Sequence, residues 1–429
     1  MHGTVTLNAR DQPNGPAIIW ADQRSASQAQ EFEEAIGPAM LAITGSRVSP
    51  GFQAATVRWL ARHEPDRWRD TASLLLPKDF IRLKLTGERI TEPTDASGSL
   101  LFDIQHLRWS ETMIAHAGVS ELQVPSVCGS AEISGLLTRE AALMLGLPPR
   151  IPVVGGAADA PAAALGAGII NPGDLMITLS SGAQVYTPLT TPLIDESGRL
   201  HTFASPFTIR DPAPWYCMGA TLNAGLVLTW LHDLLGPEGA DVDYERLIGL
   251  TRTSVAGANG LLFLPYLSGE RVPHFDAGAR GAFIGFDVAH TRGDLVRAVL
   301  EGVSLALHDA WEILKSTSGC DPERITLAGG GSRSAIWQQI IADLFGRPVR
   351  SLVGHDQSAL GAAMLAATVN GERLVDLAKR WPRFGTEVPP DRTRHDRYQA
   401  LVPLFRTAYQ SNAALMHDLS DWRRAAAPG

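Results

Sequence analysis

Ile325-Thr-Leu-Ala-Gly-Gly-Gly-Ser-Arg-Ser-Ala-Ile-Trp337 sets a short apolar strand, three consecutive glycines and the start of a helix end to end. The helix is read from Ile336, Ile340 and Leu344 at four-residue spacing, with Gly346 and Pro348 as stop signals. Gly329, Gly330 and Gly331 carry no side chain. Backbone can therefore lie flat against a ligand, and N–H groups at the helix start can face it. Such a cluster reads either as a nucleotide-sized opening or as a tight turn, and only its context separates the two.

That context is an alternation of strands and helices. Ala17–Trp20, Ile151–Val154, Leu175–Leu179, Gly260–Leu264 and Ile325–Leu327 read as strands. Gln53–Arg62, Gly225–Leu235 and Asp294–Leu314 carry apolar residues at helical spacing. The pattern predicts an α/β fold. Ala157–Ala167 is nearly all Ala, Gly and Leu and is followed by a turn at Ile169–Asp174, which places a domain boundary near residue 170 and divides the chain into 1–169 and 170–420. The small residues suit close packing of helix on sheet at a hinge, or equally a crowded core helix. Val153-Val-Gly-Gly-Ala-Ala-Asp-Ala-Pro161 and Leu327-Ala-Gly-Gly-Gly331 repeat one strand–glycine–helix theme, as two similar lobes would.

The chain has 429 residues, 45% hydrophobic and 19% charged, which is ample for two or three globular domains. A net charge of −8, with no Lys/Arg run interleaved with aromatics, disfavours nucleic acid and anionic membrane as partners and favours small molecules. Cys128, Cys217 and Cys320 lie far apart, without metal-ligand or disulfide spacing, as in a reducing cytoplasm. No apolar run approaches a membrane span. His2, His63, His274 and His355 show no ligand spacing either, so no protein-held metal is expected.

Among groups able to do chemistry, Asp159 follows Gly155-Gly156 and precedes Pro161, a position suited to the first residue of a helix. It is read either as a carboxylate complementing the helix dipole or as a general base for a hydroxyl attacking a phosphoryl donor. Phe263-Leu-Pro-Tyr-Leu-Ser-Gly-Glu-Arg-Val-Pro-His274 is a strand entering a polar, proline-flanked loop, in which Glu270 and Arg271 read as a structural pair rather than a ligand contact. A Walker-type G-x-x-x-x-G-K-[ST] and a G-x-G-x-x-G after a strand are both missing, which disfavours P-loop and Rossmann enzymes.

Together these segments resemble the FGGY family of carbohydrate kinases, and within it the xylulokinases. Gly281-Ala-Phe-Ile-Gly-Phe286, seven residues, then Asp294-Leu-Val-Arg-Ala-Val-Leu-Glu301 fits the family's C-terminal signature apart from Phe286. Leu75-Leu-Pro-Lys-Asp79, Asp95-Ala-Ser-Gly98 and Leu267–His274 look like xylulokinase. The resemblance implies two ribonuclease H-like lobes of the actin/sugar-kinase superfamily with ATP and sugar in the cleft between them. It makes Asp159 the base, and Met1, His2, Asp22 and Arg24 the residues at the sugar. Ser181, Gly225, Gly330, Gly331 and Ser334 fall where the family holds the nucleotide. ATP and Mg²⁺ are the implied cofactors, D-xylulose the implied acceptor, and a homodimer is one assembly to expect.

There are departures. Gln53 and Thr56 stand where the N-terminal signature has a small or hydroxyl residue and a lysine, and Ser180 and Ala183 replace glycines of the phosphate turn. The family's opening Asp-x-Gly-Thr-[Ser/Thr] strand and turn has no counterpart in this sequence, so the resemblance implies an incomplete N-terminal lobe and weak or no turnover by residues 1–429. A remnant that binds nucleotide or sugar without catalysis, and a kinase for another ketose or polyol, are the competing expectations.

Overall fold

The structure is a computed structural model that describes residues 1–208, 211–236, 243–354 and 356–426, with side chains through Arg423; His355 lies outside the described residues. The chain forms two compact units, each discontinuous in sequence. The first comprises Met1–Pro172, Pro188–Cys217 and Gly354–Pro382; the second comprises Gly173–Thr187, Met218–Val353 and Arg383–Gly429. A single division at residue 170 does not describe them.

In the first unit the core gathers Phe32, Met40, Phe52, Leu74, Leu100 and Met113, all buried, around the helices Ala26–Thr44, Gln53–His63 and Glu111–Ala117. The first of these is interrupted at Ile36, which leaves helical geometry (φ −144°) two residues before Pro38. Proline removes a helical donor and crowds the preceding turn, which accounts for the break. Val5–Leu7 pairs antiparallel with Ser73–Leu75. The strand expected at Ala17–Trp20 does not form: Ile18 makes an isolated bridge to Thr4. Ile18 alone is buried there, while Ile19 and Trp20 are 58% and 51% exposed, so the apolar run has one buried position and no face to pair.

The small-residue stretch becomes the helix Asp159–Gly166, starting one residue after Ala158 in extended geometry. Its partner is another helix, Gln357–Ala367, not a sheet. A Cβ on Gly166 would lie 2.0 Å from the Gln357 carbonyl oxygen, and one on Gly361 would lie 2.0 Å from that of Ala162. The two helices therefore cross backbone on backbone. This contact explains why residues 354–382 join the first unit.

Among the described residues a six-stranded mixed sheet has the strand order His201–Ala204, Trp215–Thr221, Ala183–Leu189, Leu175–Leu179, Ile325–Ala328, Val349–Ser351. Leu175–Leu179 runs parallel to Ile325–Ala328 and antiparallel to Ala183–Leu189. The signature segment forms a strand, Ala282–Ile284, and a 27-residue helix, Arg292–Ser318. That helix starts on a capping box between Thr291 and Asp294 and ends at left-handed Gly319. Ser334 caps the helix Ala335–Phe345, which ends at left-handed Gly346.

The crossing generates a stability prediction. Gly361→Ala should destabilise the protein by about 1–3 kcal/mol, because the added methyl meets a carbonyl that cannot rotate away. Gly249, at the end of the helix Tyr244–Gly249, has nothing within 4 Å of the point where a Cβ would sit, and its alanine variant serves as the control. Urea midpoints of the two variants measure the difference, and equal midpoints would contradict the close crossing.

Candidate active site

In the second unit the glycines expected at a nucleotide converge on one turn. Between Leu175–Leu179 and Ala183–Leu189 the chain reverses through Ser180, Ser181 and Gly182. The Gly225 N–H donates to the Ser180 carbonyl at 2.8 Å, and the Ala224 and Leu226 N–H groups both donate to the Ser181 carbonyl at 3.0 Å. From the other side, a Cβ on Gly329 would meet the Leu179 carbonyl oxygen at 2.4 Å, and one on Gly331 would meet the Leu179 side chain at 2.8 Å. Gly330 is different: it is exposed, and a Cβ there would meet nothing within 4 Å. Gly225, Gly329 and Gly331 thus close the backbone around the Ser180–Ser181 turn, whereas Gly330 leaves open space. Ser334 is half-buried, and its hydroxyl accepts the Trp337 N–H at 3.2 Å, the work of a helix cap.

The two serines of this turn remain open to solvent. Ser180 and Ser181 are both exposed, and the Ser180 N–H donates to the Gly182 carbonyl at 2.9 Å. Glu270, by contrast, is buried, with 3% of its surface exposed, and is no surface bridge. Its Oε1 accepts the Leu222 N–H at 2.7 Å and the Arg271 N–H at 2.8 Å, and Asn223 Nδ2 lies 3.3 Å from Oε2. Asn223 also donates to the Gly269 carbonyl at 2.7 Å. The proline-flanked loop is thereby tied to Leu222 and Asn223, the two residues before Ala224 and Gly225, through amide donors to Glu270.

The first unit holds the residues assigned to the sugar. His2 is buried with left-handed backbone (φ +61°), and its N–H donates to Asp95 Oδ1 at 2.9 Å. Nδ1 lies 3.3 Å from the same oxygen, not aligned as a hydrogen bond. The ring lies over Gly98, where a Cβ would come within 1.7 Å of it, and meets Phe52 edge-on at 5.5 Å. Met1 beside it is half-buried. Asp22 and Arg24 form a two-pronged pair, each contact 2.9 Å, with the guanidinium 5.0 Å from the Trp59 ring. Arg24 holds the Asp22 carboxyl below its ordinary value through that hydrogen bond. No hydrogen bond or ion pair among the described residues joins this pair to His2. Asp159 is exposed at the start of its helix, and its Oδ1 accepts the Ala160 N–H at 2.7 Å.

Sequence reasoning missed a buried charge cluster next to His2. Lys78 Nζ lies 2.7 Å from Asp79, 3.1 Å from Glu92 and 3.8 Å from Asp95. Arg82 adds a 2.7 Å pair to Asp79. Desolvation raises the Asp95 carboxyl, but the Lys78 ammonium and the His2 contacts outweigh it and hold the group well below the carboxylate range. The signal was present, since a Lys-Asp pair interrupts the apolar run Leu74–Leu76 and its continuation. Gln53 and Thr56 are also buried, and Gln53 Nε2 and Thr56 Oγ1 have no hydrogen-bond partner among the described residues. No group of three or more His, Cys, Asp or Glu side chains among the described residues could hold a metal ion.

Profiles of the FGGY family of carbohydrate kinases match residues 1–166 for its N-terminal domain and 175–369 for its C-terminal domain. The xylulose kinase of Escherichia coli K12 is 35% identical over 419 residues, 97% of this chain and 84% of that protein. The chain belongs to the FGGY family. This FGGY kinase is therefore a phosphotransferase acting on an alcohol, and it draws on ATP as its family does. The crystal structure of a xylulose kinase from Rhodospirillum rubrum superposes with a TM-score of 0.89 at 32% identity, covering 97% of this chain and 83% of that one. The actin/sugar-kinase fold class follows from that match. A gluconokinase from Bacillus subtilis is also similar, 28% identical over 87% of this chain and 73% of its own length. No helix among the described residues is long and apolar enough to cross a membrane.

Burial pushes the Glu270 carboxyl up from 4.5 to about 7, against the amide donors that favour its charged form. The folded state then binds this proton more tightly than the unfolded state does. Its contribution is whole below about pH 4.5 and is lost as pH rises through 7, at most about 3 kcal/mol in all. Glu270→Gln should flatten the fall in melting temperature between pH 4.5 and 8; an unchanged slope would remove Glu270 as its source.

Proposed function

We propose that this kinase transfers the γ-phosphoryl group of ATP to the terminal hydroxyl of a ketopentose, D-xylulose. The observation that carries the reading is the placement of His2 and Asp159 in one unit, with a hydrogen-bonded path between their backbones. His2 donates to Asp95, whose N–H donates to Glu92 at 3.1 Å; Glu92 accepts the Thr94 hydroxyl at 2.8 Å, and Thr94 accepts the Ala158 N–H at 2.7 Å. A sugar contact and a base fixed to one rigid frame keep an acceptor hydroxyl in line, which is most of what phosphoryl transfer asks of a protein. The 35% identity to a xylulose kinase supports the choice of sugar over gluconate.

In this reading Asp159 accepts the proton of the attacking hydroxyl, since its carboxylate is exposed and commits one oxygen to an adjacent amide. Met1 and His2 contact the ketose, and the Asp22–Arg24 pair belongs to the same sugar site. Ser181, Gly225, Gly330, Gly331 and Ser334 line the nucleotide, with Gly330 giving the clearest room for close backbone approach. Mg²⁺ suits ATP phosphates with one or two carboxylates rather than an all-protein cage, and when bound it neutralises charge between the phosphates. In sequence the family's two lobes divide as residues 1–169 and 170–420, the enzyme works in the cytoplasm, and a homodimer is its assembly.

The test is ADP release with D-xylulose, D-ribulose, D-gluconate and glycerol, comparing kcat/KM. D-Xylulose should lead the panel, and a lead by gluconate would reassign the substrate. Asp159→Asn should lower kcat by roughly 10²–10⁴-fold, as expected on removing a general base. Saturable binding of D-xylulose without phosphorylation of any sugar would make the chain a binder instead.

A further inference from the structure

Lys78, Asp79, Glu92 and Asp95 form a buried set of charges that stability alone does not explain. Asp79, Glu92 and Asp95 are fully buried, and Lys78 keeps a quarter of its side chain exposed. Desolvating so many ions costs about as much as their mutual attraction returns, and apolar residues of like shape are often no worse. What such a set does supply is one defined geometry. Glu92 illustrates this: Oε1 accepts the Thr94 hydroxyl and the Asp95 N–H, while Oε2 accepts the Thr94 N–H at 2.8 Å and the Ser130 hydroxyl at 2.9 Å. Every lone pair direction of that carboxylate is in use, and Lys78 offsets its charge.

From Glu92 the network forks. One limb passes through the Thr94 hydroxyl to the N–H of Ala158, the residue immediately before Asp159. Ala158 has no side chain able to cap its helix, so Thr94 fixes the entry of the chain into that first turn. The other limb passes through Asp95 to His2. A left-handed backbone at a residue other than glycine is strained, so something must hold it. Asp95 does so through the His2 N–H. The same oxygen faces Nδ1 at 3.3 Å, where a lone pair would be repelled and an N–H attracted, so the proton belongs on Nδ1 and Nε2 is the free acceptor.

We propose that this cluster is a positioning device with two separable limbs: Asp95 sets the backbone and ring tautomer of His2, and Thr94 sets the helix start that carries Asp159. The inference rests on the kinase reading above for its kinetic consequences. Neither Asp95 nor Thr94 touches the reacting atoms in it; both act through a neighbour.

Asp95→Asn should raise the KM for D-xylulose by roughly tenfold or more, with a smaller change in kcat and none in the KM for ATP. Thr94→Val should do the opposite, lowering kcat by roughly tenfold with little change in the sugar KM, and Thr94→Ser should restore it. A merely structural defect reduces the folded fraction, which scales kcat and leaves KM alone, so the KM shift in Asp95→Asn reports positioning, while for Thr94→Val kcat is taken per folded molecule, with the folded fraction measured by circular dichroism, and a loss that vanishes on this normalisation would overturn the Thr94 limb. Equal kinetic changes in the two variants would overturn the fork.

The His2 ring gives a readout independent of turnover. In ¹⁵N-histidine spectra, assigned by subtracting His2→Gln, the wild type should show the Nδ1–H tautomer and Asp95→Asn a shift toward Nε2–H. An identical tautomer in both would refute the Asp95 limb whether or not any sugar is phosphorylated. Failure of the wild type to phosphorylate a ketose would instead refute the substrate reading and leave the tautomer result to decide this one.

Discussion

A side-chain carbon at Gly329 would sit 2.4 Å from the Leu179 carbonyl oxygen, and much of the architecture depends on such omitted carbons. In the second unit, Gly225 would likewise strike the Ser180 carbonyl at 2.6 Å and Gly182 that of Thr221 at 2.5 Å. Backbone can then hydrogen-bond backbone across three chain segments, and the Ser180–Ser181 turn is held without help from its own side chains. In the first unit the same exclusion seats the helix Gln357–Ala367 against Asp159–Gly166 and the His2 ring over Gly98. Glycine is costly in a helix because of the freedom it gives the unfolded chain. Its use at Gly166 and Gly361 makes sense as the condition for placing the start of the Asp159 helix on a rigid neighbour.

Two buried carboxylate sites handle charge differently. At the first, Lys78 and Arg82 lie against the buried carboxylates, and Asp95 is held below its ordinary range although burial acts to raise it. In the second, Glu270 is met by amide donors, and burial wins, raising it to about 7. A matched cluster has a geometry insensitive to pH near neutrality. A carboxyl that titrates near 7 couples the loop it anchors to solution conditions. The hydrogen bond from Leu222 to Glu270 means that this coupling reaches the backbone that leads into Gly225 and the Ser180–Ser181 turn.

Much of this is legible in the sequence where periodicity and punctuation agree. The helix Gly225–Leu235 and the strand Leu175–Leu179 have the limits that apolar spacing predicts. Apolar spacing gives the signature helix as Asp294–Leu314, but it runs Arg292–Ser318, because the Thr291–Asp294 capping box and Gly319 lie outside the periodic stretch. Ala17–Trp20 misleads because an apolar run says nothing of which of its residues is buried. Ala157–Ala167 does signal close packing, but its partner, the helix from Gln357, lies far along the chain and leaves no local trace. The glycine turn is visible for a related reason: its constraint is local to each segment. The Lys78–Glu92–Asp95 cluster leaves only the Lys-Asp pair after Leu76 as a trace, since charged residues are ordinarily solvated and only folding reveals that these are enclosed.

Family membership fixes the reaction class and leaves the acceptor to a few side chains, because one fold serves many sugars. A xylulose kinase and a gluconokinase both resemble this chain, yet their acceptors differ at the end where one carries a carboxylate. An anionic acceptor would need a cation free to meet it. Around His2 the nearby cations are already committed: Lys78 to Asp79, Glu92 and Asp95, and Arg82 to Asp79. Arg24 is likewise engaged by both oxygens of Asp22. The region therefore offers His2 and backbone groups, which suit hydroxyl and carbonyl oxygens, and it carries fixed negative charge at Asp95 that a carboxylate would approach at a cost. Under the proposed assignment of His2 to the sugar, these charges favour a neutral ketose over an aldonate.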